Sequence, residues 1–229
     1  MKNLFNVDNP FMQALARVGD LMLLSIITLA LCIPVVTFGP AVTALFKTVY
    51  ALTKETCTKT VATYFRAFKE NFKQSAIVGV VMLVFLASFV CDVILLRLFY
   101  EGGAYQVLLA LVVLLTALVL CVTAYVFPLI TRYSNTLREH LRNAAILMIM
   151  NFPKTLLMLL VHLSPILMFY FRAEFMLRTL VVWIFLAPGL IAQADSYILM
   201  PVFDRLEKEK EAAEHPGDLD AYEENTEED

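Results

Sequence analysis

Five long apolar runs divide the chain, over about residues 18–38, 75–99, 104–130, 152–171 and 175–200. A helix rises about 1.5 Å per residue and a bilayer core is about 30 Å thick, so about 20 apolar residues make one crossing. Every run meets that length. The first is long and has no small-residue cleavage site before a soluble domain, so it reads as a retained span. Composition agrees. Hydrophobic residues are 60% of the chain, against roughly 45–50% in soluble domains, and the mean hydropathy is +0.73. The expected fold class is all-α: a polytopic membrane helical bundle of about five transmembrane helices, with amphipathic helices in its cytoplasmic links. The lipid bilayer is its first partner, and no nucleic acid is expected.

Charge divides the chain in two. Residues 207–229 hold 11 acids and 2 bases, whereas the rest holds 16 bases and 10 acids. The body, 1–206, reads as the membrane domain. The segment 207–229 reads as an acidic, disordered cytoplasmic tail. Lys and Arg mark the cytoplasmic side of a membrane protein. Six lie between Lys47 and Lys73, four between Arg132 and Lys154, and three more at Arg205, Lys208 and Lys210. Five spans put these thirteen on one side, against five on the other. The N-terminus is then expected outside and the C-terminus in the cytoplasm.

The stretch CIPVVTFGPAVTALFKTVYALTKE, Cys32 to Glu55, breaks the first run at Pro34 and again at Gly39-Pro40. Proline lacks a backbone donor and biases its predecessor away from helix, so the span is expected to end or bend there. Beyond it, Val42, Leu45, Phe46 and Val49 recur at helical spacing, with Thr43, Lys47, Tyr50 and Lys54 on the other face. That pattern predicts a helix lying along the membrane surface. A second such helix is expected in VATYFRAFKENFKQ. Phe65, Phe68 and Phe72 form its apolar stripe and Arg66 and Lys69 its basic face, a combination suited to the headgroup boundary or to a partner's groove. A proline, a basic helix and an Asn-Phe pair recur around Pro128 and Asn151. This is either an internal duplication or two links meeting one physical demand.

Together with FRAFKENFKQSAIVGVVMLV, YVFPLITRYSNTLREHLRNAAILMIMNFPKTL and SYILMPVFDRLEKE, the broken stretch resembles the YesL family of small bacterial membrane proteins. The resemblance spans nearly the whole chain short of the acidic tail. It implies a multi-pass protein of the bacterial plasma membrane. It also implies a setting, since genes of that family often neighbour those of carbohydrate ABC importers. It implies no catalytic residue, for none is assigned to the family.

Polar residues inside the runs are the remaining clues. His162 lies in mid-span, and an ionisable group inside a bilayer is a functional hypothesis by default. The plainer account is a neutral imidazole bonded to a neighbouring helix. Gln193, Asp195 and Tyr197, with Ser196, make a polar patch late in the fifth run. Helix-joining hydrogen bonds explain it, and so does a contact with a solute or partner. Asp20 and Arg17 sit three residues apart and are expected to pair. The four cysteines lack metal-ligand spacing and read as small buried hydrophobes.

No phosphate-binding glycine loop, HExxH or GxSxG is present. The chain is therefore expected to be no enzyme, with no catalytic residues, no cofactor and no metal. The leading expectation is an accessory or assembly subunit of a carbohydrate ABC import system, contacting permease subunits through Phe65, Arg66, Phe68, Lys69 and Phe72. The alternatives are an independent small-solute transporter or channel built on His162 and Asp195, functioning as a homo-oligomer, or a membrane sensor of carbohydrate uptake.

Overall fold

The computed structural model describes residues 10–214. The described residues form α1 (Pro10–Cys32), α2 (Phe38–Thr53), α3 (Thr60–Phe99), α4 (Gly102–Arg132), α5 (Leu137–Met150), α6 (Phe152–Phe171), α7 (Ala173–Arg178) and α8 (Leu180–Glu214). A single 3₁₀ turn, Val35–Thr37, joins α1 to α2. The all-helical membrane bundle is confirmed, with six helices long and apolar enough to cross a bilayer.

The bundle is apolar outward. Val81, Val84, Leu98, Val107 and Leu114 face away from the protein, whereas Ser25, Thr28, Thr43, Thr48 and Asp195 are buried. Such a surface needs lipid around it.

The sixth crossing candidate is α2, the helix expected on the membrane surface. It lies instead in the middle of the bundle, packed by α1, α3, α4 and α8. Thr43, on its expected polar face, and Thr48 are as buried as Ala44 and Val49. Thr48 tolerates this because its hydroxyl returns to its own helix, whereas the Thr43 hydroxyl is enclosed with no hydrogen-bond partner among the described residues. Thr48 donates to the Ala44 carbonyl at 2.8 Å and Thr53 to the Val49 carbonyl at 2.9 Å.

The elbow between α1 and α2 carries exposed apolar residues: Ile33 is 82% exposed, and Val35 and Val36 also point outward. Its backbone is closed by Thr37. The Thr37 amide donates to the Pro34 carbonyl at 3.1 Å, and its hydroxyl reaches the Pro34 and Leu31 carbonyls. An irregular turn satisfied in this way suits a place without water.

The start of α1 returns to the far end of α2. Arg17 Nη2 donates to the Leu52 carbonyl at 2.9 Å and sits 3.9 Å from the Glu55 carboxylate. Asp20 accepts from the Thr60 hydroxyl at 3.0 Å. Arg17 and Asp20 thus bond to the α2–α3 link rather than to each other. The described start of α1 and that basic link occupy one end of the bundle.

Other boundaries shift as well. The expected second surface helix and the second span are one continuous helix, α3, about 60 Å long by its rise. Between Gln74 and Ser75 the sequence offers no Gly or Pro to stop it. Its buried stripe is Tyr64, Ala67, Ser75 and Val78, not the phenylalanine stripe. The first span ends at Cys32 rather than residue 38. The fifth begins at Leu180, after the short α7. Residues 207–214, read as disordered tail, continue α8, whereas 215–229 lie outside the described residues. The two proline-flanked links also differ: α2 is enclosed, whereas α5 is mostly at the surface, opened by a capping box between Thr136 and Glu139. Cys32, Cys57 and Cys121 are half-buried and Cys91 is exposed, so none of the four is the buried hydrophobe expected.

Close helix approach needs small residues. Gly189 on α8 lies against Leu21 and Ser25 of α1. Its amide, next to the helix-interrupting Pro188, donates to Ser25 Oγ at 2.9 Å, and Ser25 passes the bond on to the Leu21 carbonyl at 2.8 Å.

Candidate functional site

Packing of α6 on α8 brings His162 and Asp195 together, with Nε2 3.5 Å from Oδ2. Asp195 is 0% exposed, and neither carboxylate oxygen has a hydrogen-bond partner. An enclosed, unpartnered carboxylate costs several kcal/mol if it is charged and alone.

The tautomer of His162 follows from its other nitrogen. Nδ1 lies 2.9 Å from the Met158 carbonyl, four residues back on α6. A carbonyl only accepts, so Nδ1 carries hydrogen. In the neutral ring the lone pair then sits on Nε2, facing Asp195. A lone pair facing a carboxylate repels it. The contact is attractive only when a proton sits on Nε2 or on Asp195. His162 is the accessible half of the pair, with a side chain 39% exposed against 0% for Asp195.

The exposed side of His162 lines a cavity of about 290 Å³ enclosed by α1, α2, α3, α4, α6 and α8. Its walls include Thr28, Phe38, Phe46, Tyr125 and Pro188 and are largely apolar. Hydroxyls near it are already engaged. Thr28 donates to Tyr64 Oη at 3.1 Å, and Tyr64 donates to the Ala41 carbonyl at 3.1 Å. Tyr125 Oη and Thr155 Oγ1 are 2.8 Å apart. Thr155 donates onward to the Met148 carbonyl at 2.9 Å.

The other members of the expected patch go elsewhere. Gln193 donates from Nε2 to Thr53 Oγ1 at 2.7 Å and so ties α8 to α2. Tyr197 is 55% exposed and faces outward, away from the pair. On α3, Phe65 and Phe72 are exposed beside exposed Arg66 and Lys69, while Phe68 is half-buried against the core. Sequence reading missed Thr28, Tyr64, Tyr125 and Thr155, although hydroxyl-bearing residues within apolar runs were the available signal.

A second cluster marks the basic end. The Arg132 guanidinium lies between the rings of Tyr50 and Phe203, 4.5 and 4.8 Å from their centroids, and pairs with Glu207. Lys54 pairs with Asp204 at 2.7 Å. These contacts tie α2, α4 and α8 together. Nearby on α5, His140 is 1% exposed and neither ring nitrogen has a partner. Burial pulls its imidazole below the usual histidine range, against smaller opposing effects of Glu139 and the Asn135 backbone. Among the described residues no three His, Cys, Asp or Glu side chains gather closely enough to hold a metal.

One family's sequence model, described as a protein of unknown function, DUF624, matches residues 21–93, less than half of the chain. No curated protein matches the chain, and no solved structure does.

Proposed function

We propose that this chain is a non-enzymatic, multi-pass membrane protein that takes a small solute into the cavity beside His162, with the His162–Asp195 pair holding the proton that answers to its arrival. The observation that carries this reading is Asp195, fully enclosed, with His162 alone in ion-pair reach among the described residues. Such a group is costly to keep inside a bundle, and intramembrane ionisable residues mark solute and proton paths. The apolar wall selects the class of solute. A sugar would leave many hydroxyls unpaired there, whereas a molecule with an apolar body and one polar group fits. On this reading both ends of the bundle domain face the cytoplasm, since α1 starts beside the basic link.

The test is thermal unfolding of the purified protein with indole, benzoate and benzylamine, which present a neutral, an anionic and a cationic head on similar rings. Stabilisation by at least one, lost in His162→Phe, is the expected result. No shift with any of the three would overturn the proposal.

A second reading is favoured by the exposed Phe65 and Phe72 with Arg66 and Lys69 beside them. It makes the chain an accessory or assembly subunit of a carbohydrate ABC importer, docked through that face of α3. Gentle purification from native membranes checks it. Recovery of the protein alone, together with unchanged sugar uptake in a deletion strain, would count against it.

A further inference from the structure

A polar hollow lies at the basic end of the bundle and shares no wall residue with the His162 cavity. It measures about 560 Å³ and opens between α2, α3 and the end of α4. Three cations reach it from three helices: Lys47, Lys73 and Arg132. Glu70 is the one acid in its wall, and it accepts from Lys47 Nζ at 2.8 Å. Glu207, outside the wall, engages Arg132 through Nη2. With both carboxylates counted, three cations still face two acids. Lys73 is the cation with no acid within ion-pair distance among the described residues.

Behind the wall, Arg132 Nη1 and the Tyr133 hydroxyl are enclosed by the protein and have no acceptor among the described residues. Enclosed donors without acceptors each cost about 1–3 kcal/mol. The Arg132 guanidinium is already fixed between the Tyr50 and Phe203 rings. A guanidinium held in plane loses little further freedom on binding an oxyanion. Gln74 is fixed too, its Nε2 donating to the Asn135 carbonyl at 3.1 Å across the hollow's rim.

We propose that this hollow binds a phosphate group. Lys73 supplies the uncompensated charge, Lys47 shifts part of its bond from Glu70 to the ligand, and Arg132, held between its two rings, adds fixed positive charge to the wall. Two sources carry that chemistry: the headgroup of an anionic phospholipid and a phosphate in the water. Basic pockets between helices at the cytoplasmic face are known to hold anionic headgroups.

The experiment measures thermal unfolding of the full chain in two arms. One compares phosphatidylcholine nanodiscs with and without phosphatidylglycerol. The other titrates inorganic phosphate into phosphatidylcholine nanodiscs. Lys73→Gln is the diagnostic variant, because Lys73 is exposed and its loss leaves the packing intact. Lys208→Gln, outside the hollow, is the control. Stabilisation is expected in at least one arm, with apparent affinity about tenfold weaker in Lys73→Gln, the loss of one charge-assisted hydrogen bond. A response confined to the phosphatidylglycerol arm assigns the headgroup, and one confined to the phosphate arm assigns the soluble ligand. Absence of a Lys73-dependent response in both arms, or equal loss in Lys208→Gln, overturns the site.

Discussion

Gly39 and Gly79 meet backbone to backbone: a Cβ on Gly79 would lie 2.5 Å from the Gly39 amide nitrogen and 2.6 Å from its Cα. A Cβ on Gly39 would fall 1.8 Å from the Ser75 carbonyl oxygen. No side-chain rotation relieves a clash with backbone, so α2 and α3 must part. Gly39→Ala is expected to destabilise the bundle by about 3 kcal/mol, the upper end of ordinary overpacking costs. Gly19→Ala, where nothing lies within 4 Å, is expected to cost nothing. Thermal unfolding of both variants in the same detergent decides, and equal melting temperatures would refute the close contact.

Asp195 and His162 should respond asymmetrically to substitution. Asp195→Asn removes a group that is costly to enclose and is expected to stay within about 1 kcal/mol of the parent, or above it. His162→Ala strands the carboxylate. Its cost is expected below the about 3–5 kcal/mol of a broken fully buried pair, because His162 is partly exposed. Melting temperatures in the order Asp195→Asn at or above parent, then His162→Ala, support a proton-sharing pair. The reverse order would mean that Asp195 is held by something other than His162.

The path of α1 makes a labelling prediction. In a background without the other cysteines, Gln13→Cys and the native Cys57 are expected to react with an impermeant maleimide only after cells are opened. Glu101→Cys, at the other end of α3, is expected to react in intact cells. Labelling of Gln13→Cys together with Glu101→Cys would separate the start of α1 from the α2–α3 link and rule out their side-by-side placement.

His140 gives the bundle a pH dependence of known sign. Its folded pKa lies below the unfolded value, so the unfolded chain takes up the proton first. Its stabilising effect is complete above the unfolded value of about 6.5 and is lost as pH falls toward the folded one, with a slope of at most about 1.4 kcal/mol per pH unit. Melting temperature against pH is expected to fall less steeply below pH of about 6.5 in His140→Leu than in the parent. Parallel curves would show that the ring is reached by water.

Much of the architecture was legible because crossing a bilayer is a demand on length and hydropathy, and both are properties of a single segment. The span expected at 152–171 coincides with α6, and that at 104–130 lies within α4. The surface placement of α2 failed for a physical reason. Thr43, Lys47, Tyr50 and Lys54 read as a polar face, yet a threonine can be enclosed in a bundle, as Thr48 is at little cost by bonding to its own helix. The charges that lent α2 its amphipathic look, Lys47 and Lys54, are partly exposed near its end, where they pair with Glu70 and Asp204. Similarly, Arg17 and Asp20 looked like partners because they are near in sequence, whereas the fold offered each a better bond.

The sequence by itself determined that this chain is apolar enough for a bilayer, where five of the six crossing candidates lie, and that His162 and Asp195 are polar groups in costly surroundings. Hydrophobicity is local and additive, so it can be read residue by residue. Tertiary structure alone decided that α2 is enclosed, that its end returns to the start of α1, and that a histidine and an aspartate 33 positions apart in sequence lie 3.5 Å from each other. Those outcomes depend on which helix faces pack against which, and packing is a property of pairs that no single segment carries.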